Sequence, residues 1–231
     1  MVTFFQQRRP GPEILVEDAV VGQIPDLFGC ADLPLWAGGS PPIGAGRPDL
    51  VITFCEPRVY VLAQTPVPTP LILGYLRAVG RATPGTISRR LGKPMKTVVE
   101  CLDGLREARV VRGHREVYSI VPGWREILPE IVTIEVKVAD WRKAIAQAAR
   151  NRIFAHRSFV AFPEMLAGRV CANAITAQLG VGVLAVSQDD SVRVVKRARR
   201  QQPRVWAYYY ELARLVAHHS KGAHDAIHRV A

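Results

Sequence analysis

This 231-residue sequence is short of cysteine, of acid and of long apolar runs. Its four cysteines, Cys30, Cys55, Cys101 and Cys171, are too far apart for a CxxC pair, a zinc ribbon or the disulfide framework of a small secreted domain. Reduced, buried thiols of a cytoplasmic protein are the expectation. The longest apolar stretch, Val170 to Val186, is broken by Asn173, Thr176 and Gln178, so no membrane span is expected. The first residues, MVTFFQQRRPGPE, lack a cationic start followed by an apolar run, so no secretory leader is expected either. No internal repeat is evident. Acids number 20 against 31 Lys and Arg, a net charge of +11. That excess of base points to a polyanion partner, nucleic acid or an anionic membrane surface. With 48% hydrophobic and 22% charged residues the chain is not a disordered one. At roughly 150 residues per domain its length suits one large or two small domains.

Along the chain, Pro12 precedes a first helix over Glu13 to Ile24. A Gly- and Pro-rich stretch from Phe28 to Pro48 reads as a loop. Leu50 to Phe54 and Val59 to Ala63 read as strands, and the prolines of Thr65 to Pro70 as a stiff linker. Three short helices follow: Leu71 to Val79 closed by Gly80, Thr83-Pro84 to Leu91 closed by Gly92, and one opened by Lys93-Pro94. On the third, Val98, Leu102 and Leu105 share one face. Val110 to Ile120 then reads as a hairpin with a charged tip. Three helices and a hairpin are the order of a winged helix-turn-helix. Ile131 to Val138 alternates apolar and polar residues as a strand does. Asp140 can cap the next helix, whose Trp141, Ala144, Ile145 and Ala148 form an apolar stripe. Ser158 to Phe162, Val181 to Val186 and Val192 to Val195 read as further strands, and Val205 to His218 as a final helix before a frayed tail. The Tyr208 to Tyr210 run reads as packing before base stacking, and His218, His219, His224 and His228 as a frayed end, not a metal site.

Period two along the Ile131 strand places Thr133, Glu135 and Lys137 on one face. By itself that is an ordinary solvated ion pair. A second carboxylate, Asp49, stands at the entry to another apolar strand in Pro48-Asp49-Leu50-Val51-Ile52. Together, Pro48-Asp49 and Glu135-Val136-Lys137 resemble the PD-(D/E)xK motif of the restriction-endonuclease-like nucleases. The segment from Lys137 through Gln147 to Ala148 is similar to the strand-to-helix passage of that family, in which a helical Gln lies near the active centre. The likeness covers residues 13–65 and 130–195. It departs in spacing, because Asp49 and Glu135 are 86 positions apart where the family joins these strands by a hairpin. An insertion accounts for the excess.

The resemblance implies an α/β fold: a restriction-endonuclease-like mixed sheet flanked by helices, with an inserted winged-helix domain. Residues 1–66 and 125–231 would form the core, and 67–124 the insert. It implies Mg²⁺ or Mn²⁺ held by Asp49, Glu135 and the Val136 carbonyl, with Glu17 on the first helix joining the shell and Glu13 in reserve. Hard cations of this kind prefer oxygen ligands. Lys137 would orient or activate the metal-bound water, and Gln147 would position Lys137 or the water. DNA would be the partner, cut by a homodimer. Lys93, Lys96, Thr97 and Arg106 would serve the third helix, and Arg112, His114 and Arg115 the wing. Glu100, Asp103 and Glu107 oppose this, since DNA repels them; the other reading of the module is packing or dimer contact. Arg193 and Arg204, with Lys196, Arg197, Arg199 and Arg200 between them, form a run without an acid that suits phosphate contacts. Two other functions stay open on these residues: a DNA-binding regulator without catalysis, and a core that binds a protein partner.

Overall fold

Short apolar runs punctuated by glycine and proline form strands buried on both faces, and segments of helical period cover them. A computed structural model describes residues 2–8, 10–29, 33–44 and 46–228, with side chains up to residue 219. The elements run β1 (Val2–Phe4), α1 (Pro12–Gly22), α2 (Ile24–Phe28), β2 (Leu35–Gly39), β3 (Leu50–Phe54), a 3-10 segment (Pro57–Gln64), α3 (Thr69–Val79), α4 (Pro84–Leu91), α5 (Met95–Glu107), β4 (Val111–His114) and β5 (Val117–Ile120). After a second 3-10 turn come β6 (Ile131–Val136), α6 (Trp141–Asn151), β7 (Arg157–Pro163), α7 (Glu164–Cys171), α8 (Ala174–Gln178), β8 (Gly182–Val186), β9 (Val192–Lys196) and α9 (Trp206–His228). The chain divides into two compact units, Met1–Phe54 with Glu130–Arg204, and Cys55–Pro129 with Val205–Ala231.

The first unit is α/β. Its mixed seven-stranded sheet has the order β1-β2-β3-β6-β7-β8-β9. β3 runs antiparallel to both β2 and β6, β6 to β8 are parallel, and β9 closes one edge antiparallel. Parallel neighbours need a crossover, which α6 supplies between β6 and β7. Val16, Val20 and Ile24 of α1 and α2 pack on one face against Leu50, Ile52, Ile134 and Val136. Ala144, Ile145 and Ala148 of α6, with Ala167 and Val170 of α7, pack on the other against Val160, Phe162 and Val183. Burying each such branched side chain stabilises the fold by about 1.5–3 kcal/mol. With Ile134 and Val136 facing α1, Thr133 and Glu135 must face α6.

β3 and β6 are direct neighbours, pairing Leu50 with Ile134, although the whole of Cys55–Pro129 intervenes. That segment leaves the sheet and returns to it. The wide separation of Asp49 and Glu135 is therefore closed by strand pairing: one step beyond the Leu50–Ile134 register, Asp49 meets Glu135.

The second unit is helical with one hairpin. Thr83 Oγ1 accepts from the Thr86 N–H as the cap of α4, and Gly92 ends that helix in the left-handed region at φ 60°. Val98, Leu102 and Leu105 are buried as their spacing requires. Arg115 and Glu116 have φ of 48° and 62°, the paired positive values of a tight hairpin turn. α9 packs on α3, where a Cβ on Gly74 would collide with the backbone of Ala207. Among the described residues no helix is long and apolar enough to cross a membrane.

Several expectations are corrected. Val59 to Ala63 is part of a 3-10 helix, not a strand; Val59 and Leu62, three apart, are its buried residues. The stretch expected as loop contains β2. Its glycines signal a loop but serve packing: a Cβ on Gly38 would strike the Trp36 ring, and one on Gly39 the Phe4 ring. β1 was not expected at all. β6 stops at Val136, and both its faces are buried. The final helix runs to His228 and belongs to the helical unit, not to the second core piece. The reading of the tyrosine run as packing holds for Tyr209 and Tyr210, which are fully buried and donate hydroxyl hydrogens to the carbonyls of Leu128 and Trp124. The side chains of His224 and His228 lie outside the described residues.

Candidate metal-binding carboxylate site

Asp49 sits at the mouth of β3, where its Oδ2 accepts the Val136 N–H at 2.7 Å. Glu135 projects from β6 toward α6 and is 1% exposed. Its Oε1 accepts from Asn151 Nδ2 at 2.6 Å, while its Oε2 is buried with no donor. The Asp49 carboxylate stands within hydrogen-bonding reach of it. A carboxyl buried beside a second one is disfavoured in its charged form. Burial, then the Asp49 charge, push Glu135 up to about 8, against the pull of Asn151 and Lys137.

Lys137 follows the strand, its N–H still bonded to the Ala161 carbonyl. Its Nζ donates to the Val136 carbonyl at 2.7 Å, to Asp49 Oδ2 at 3.3 Å and to Glu13 Oε2 at 3.4 Å. Burial lowers the ammonium's pKa, but Asp49, Glu13 and Glu135 outweigh it and the net direction is up, so the group stays charged. The ammonium thus lies on two of the oxygens expected to hold a cation, Asp49 Oδ2 and the Val136 carbonyl.

Glu17 faces the same place. It lines, with Arg8, Glu13, Ser40, Asp49 and Val136, a cavity of about 230 Å³. Its carboxylate is held by Arg8 Nε at 3.0 Å. Burial raises its pKa and the Asp49 charge adds to that, while Arg8 opposes both. Among the described residues no three His, Cys, Asp or Glu side chains are grouped as a ready-made metal site. The oxygens gathered here are the carboxylates of Asp49, Glu135 and Glu13 and a backbone carbonyl, with Glu17 committed to arginine.

Asp49, Glu135, Val136, Lys137, Glu13 and Glu17 therefore come together. Gln147 makes no hydrogen bond to Asp49, Glu135 or Lys137, and its Oε1 is buried without a partner. Asn151, one turn further along α6, holds Glu135. Its signal was available in sequence, since residues four apart share a helix face. Arg8 was also missed and has no such signal, because the chain folds back to bring it onto α1.

The basic residues separate into free and committed ones. Lys96 pairs with Glu100 at 4.0 Å and Arg106 with Asp103 at 3.0 Å, so two of the three acids of α5 lie beside cations of the same helix. Lys93 and Thr97 are half-buried. Arg112, His114 and Arg115 are exposed and line one concavity of about 850 Å³ with Arg81 and Arg125. In the basic run through and after β9, Arg200 is paired with Glu130 and Arg193 with Glu164, and Lys196 donates to the Cys171 carbonyl. Arg197 and Arg199 are exposed. Cys55 and Cys101 are free and buried, and Cys171 is free and half-buried. Compared with protein-family models, curated proteins and solved structures, the chain matches none.

Proposed function

We propose that this chain is a metal-dependent DNA endonuclease of the PD-(D/E)xK class, whose inserted unit acts as a winged helix-turn-helix. One observation carries the reading: two acids 86 positions apart converge at the ends of paired strands, with a lysine on one of them. The buried, donor-less Oε2 of Glu135 beside a second carboxylate fits a cation there. Mg²⁺ or Mn²⁺ would be held by Asp49, Glu135 and the Val136 carbonyl, with Glu17 at the edge of the same cavity. When bound, the ion supplies a more acidic water and offsets charge on the phosphoryl oxygens. Asn151 fixes the orientation of Glu135. Lys137, beside the Asp49 and Val136 oxygens, would present its ammonium to the attacking water and to the charge developing on phosphorus-bound oxygen.

For the insert, the order of three helices and a hairpin supports a winged helix, with α5 toward the major groove and the basic concavity at β4–β5 toward phosphates. Cleavage of both strands by a homodimer is part of the same proposal.

A plasmid-nicking assay with Mg²⁺ or Mn²⁺, on the native chain, Glu135→Ala and Lys137→Ala, tests it. Cutting by the native chain alone supports the reading. Equal DNA binding by all three with no cutting replaces it with a second reading, a DNA-binding regulator. That reading is favoured by the basic concavity, which lies wholly in the helical unit and needs no catalysis.

A further inference from the structure

A second polar cavity in the sheet unit, of about 310 Å³, is not used by the carboxylate chemistry. It forms where the end of α6, the turn between α8 and β8, and the extended chain after β9 meet. Arg152, Arg199, Arg204, Gln178 and Gln201 line it.

Arg152 is only 8% exposed. Its Nη1 donates to the carbonyls of Gly180 at 2.6 Å and Arg199 at 3.0 Å, and its Nη2 to Gln201 Oε1 at 2.6 Å. Gln201 Nε2 donates back to the Arg152 carbonyl. The guanidinium is therefore fixed. Gly180 has φ 64°, and a Cβ there would stand 3.2 Å from both Nη atoms, so glycine is what lets this backbone approach the arginine. The carbonyls satisfy hydrogens but not charge. Among the described residues none of Arg152, Arg199 and Arg204 has a carboxylate partner, whereas their neighbours Arg193 and Arg200 do. Burial, then the charges of Arg199 and Arg204, lower the pKa of Arg152.

Arg152 is fixed and buried, exposed Arg199 and Arg204 line the same concavity, and an anion placed among the three offsets their mutual repulsion. Guanidinium groups fit phosphate oxygens in a bidentate fork. A phosphomonoester carries about −1.5 to −2 at neutral pH, against one charge for a backbone diester, and so matches a triple-arginine site better. The volume exceeds what a bare phosphate needs and lies at the small end of ligand cavities.

We propose that this cavity binds a phosphomonoester, its phosphoryl group held by Arg199 and Arg204 against the fixed guanidinium of Arg152. The group comes either from a nucleic-acid end or from a free nucleotide. The proposal does not depend on hydrolysis: a chain that cuts nothing would bind the same group.

The test uses the full chain with metal chelated. Inorganic phosphate and AMP are titrated calorimetrically. Duplexes of one sequence, 5′-phosphorylated or 5′-hydroxyl, are compared by fluorescence anisotropy. Arg199→Gln with Arg204→Gln removes two cavity cations. Arg142→Gln with Arg169→Gln, both exposed in the same unit, removes the same charge outside the cavity and controls for it. The expected result is that phosphate and AMP bind the native and control chains, and bind the cavity variant about tenfold or more weakly. A preference of about tenfold for the phosphorylated duplex, lost in the cavity variant, identifies a nucleic-acid end as the source. AMP binding with equal affinity for the two duplexes identifies a free nucleotide. No binding of phosphate or AMP to the native chain, or equal weakening in the two double variants, overturns the proposal.

Discussion

Glu135→Gln is predicted to stabilise the metal-free protein at alkaline pH. Glu135 ordinarily ionises near 4.5 and is pushed up to about 8 in the fold. Between those values the folded chain keeps a proton that the unfolded chain has released. Rising pH therefore favours unfolding: this group's stabilisation is complete below 4.5 and is lost as pH rises through about 8. The slope is about 1.4 kcal/mol per pH unit, several kcal/mol across the window. The amide introduced by Glu135→Gln has no charge to lose. Its oxygen accepts from Asn151 as before, and its NH₂ gives Asp49 a neutral donor in place of a rival carboxylate. His156 works in the opposite direction: burial lowers it from 6.5 to about 4, so its stabilisation is lost as pH falls through that range. The two slopes oppose each other between 4.5 and 6.5 in the native chain, which is why the difference between native and variant is the quantity to read. Urea unfolding of both proteins in chelator, from about pH 4 to about pH 9, gives that difference. The native chain should lose ground to the variant steadily up to about pH 8. Added Mg²⁺ should stabilise the native chain more at higher pH, since the cation replaces the proton, and should not stabilise the variant. Parallel stability curves across the range refute the reasoning.

Lys137→Ala should lower nicking by about a hundredfold or more while leaving duplex affinity unchanged in a binding assay, because its ammonium serves the reacting charge. Arg115→Gln should weaken duplex binding and reduce the slope of log affinity against log salt by about 1, read by anisotropy over a salt series. Gly92→Ala places a side chain at φ 60°, and should destabilise the helical unit by about 1 kcal/mol in a denaturant titration.

The helical unit was legible because its signals are local. Thr83, Gly80 and Gly92 mark helix ends, and Val98, Leu102 and Leu105 mark a buried face, wherever in a fold they occur. Leu50 to Phe54 was legible for the same reason. The 3-10 segment at Val59 was not, because β-branched residues suit a strand by propensity and only tertiary packing turned them into a short helix. β2 was hidden because its glycines are loop signals until Phe4 and Trp36 lie over them.

At the carboxylate site the same boundary holds. The residue types and their strand periods, Asp49 before one run and Glu135 and Lys137 along another, are properties of the chain, as are its positive charge and the break in hydrophobic pattern between the two halves of the sheet. That Asp49 meets Glu135, that Asn151 holds the latter, and that Arg8 engages Glu17 follow from long-range strand pairing and helix docking. So does the arginine cavity, assembled from three segments separated in sequence. Local geometry repeats every two or every 3.6 residues and can be read in order. Contacts between distant segments depend on register and on which face packs against which, and these are set only when the whole chain has buried its apolar surface.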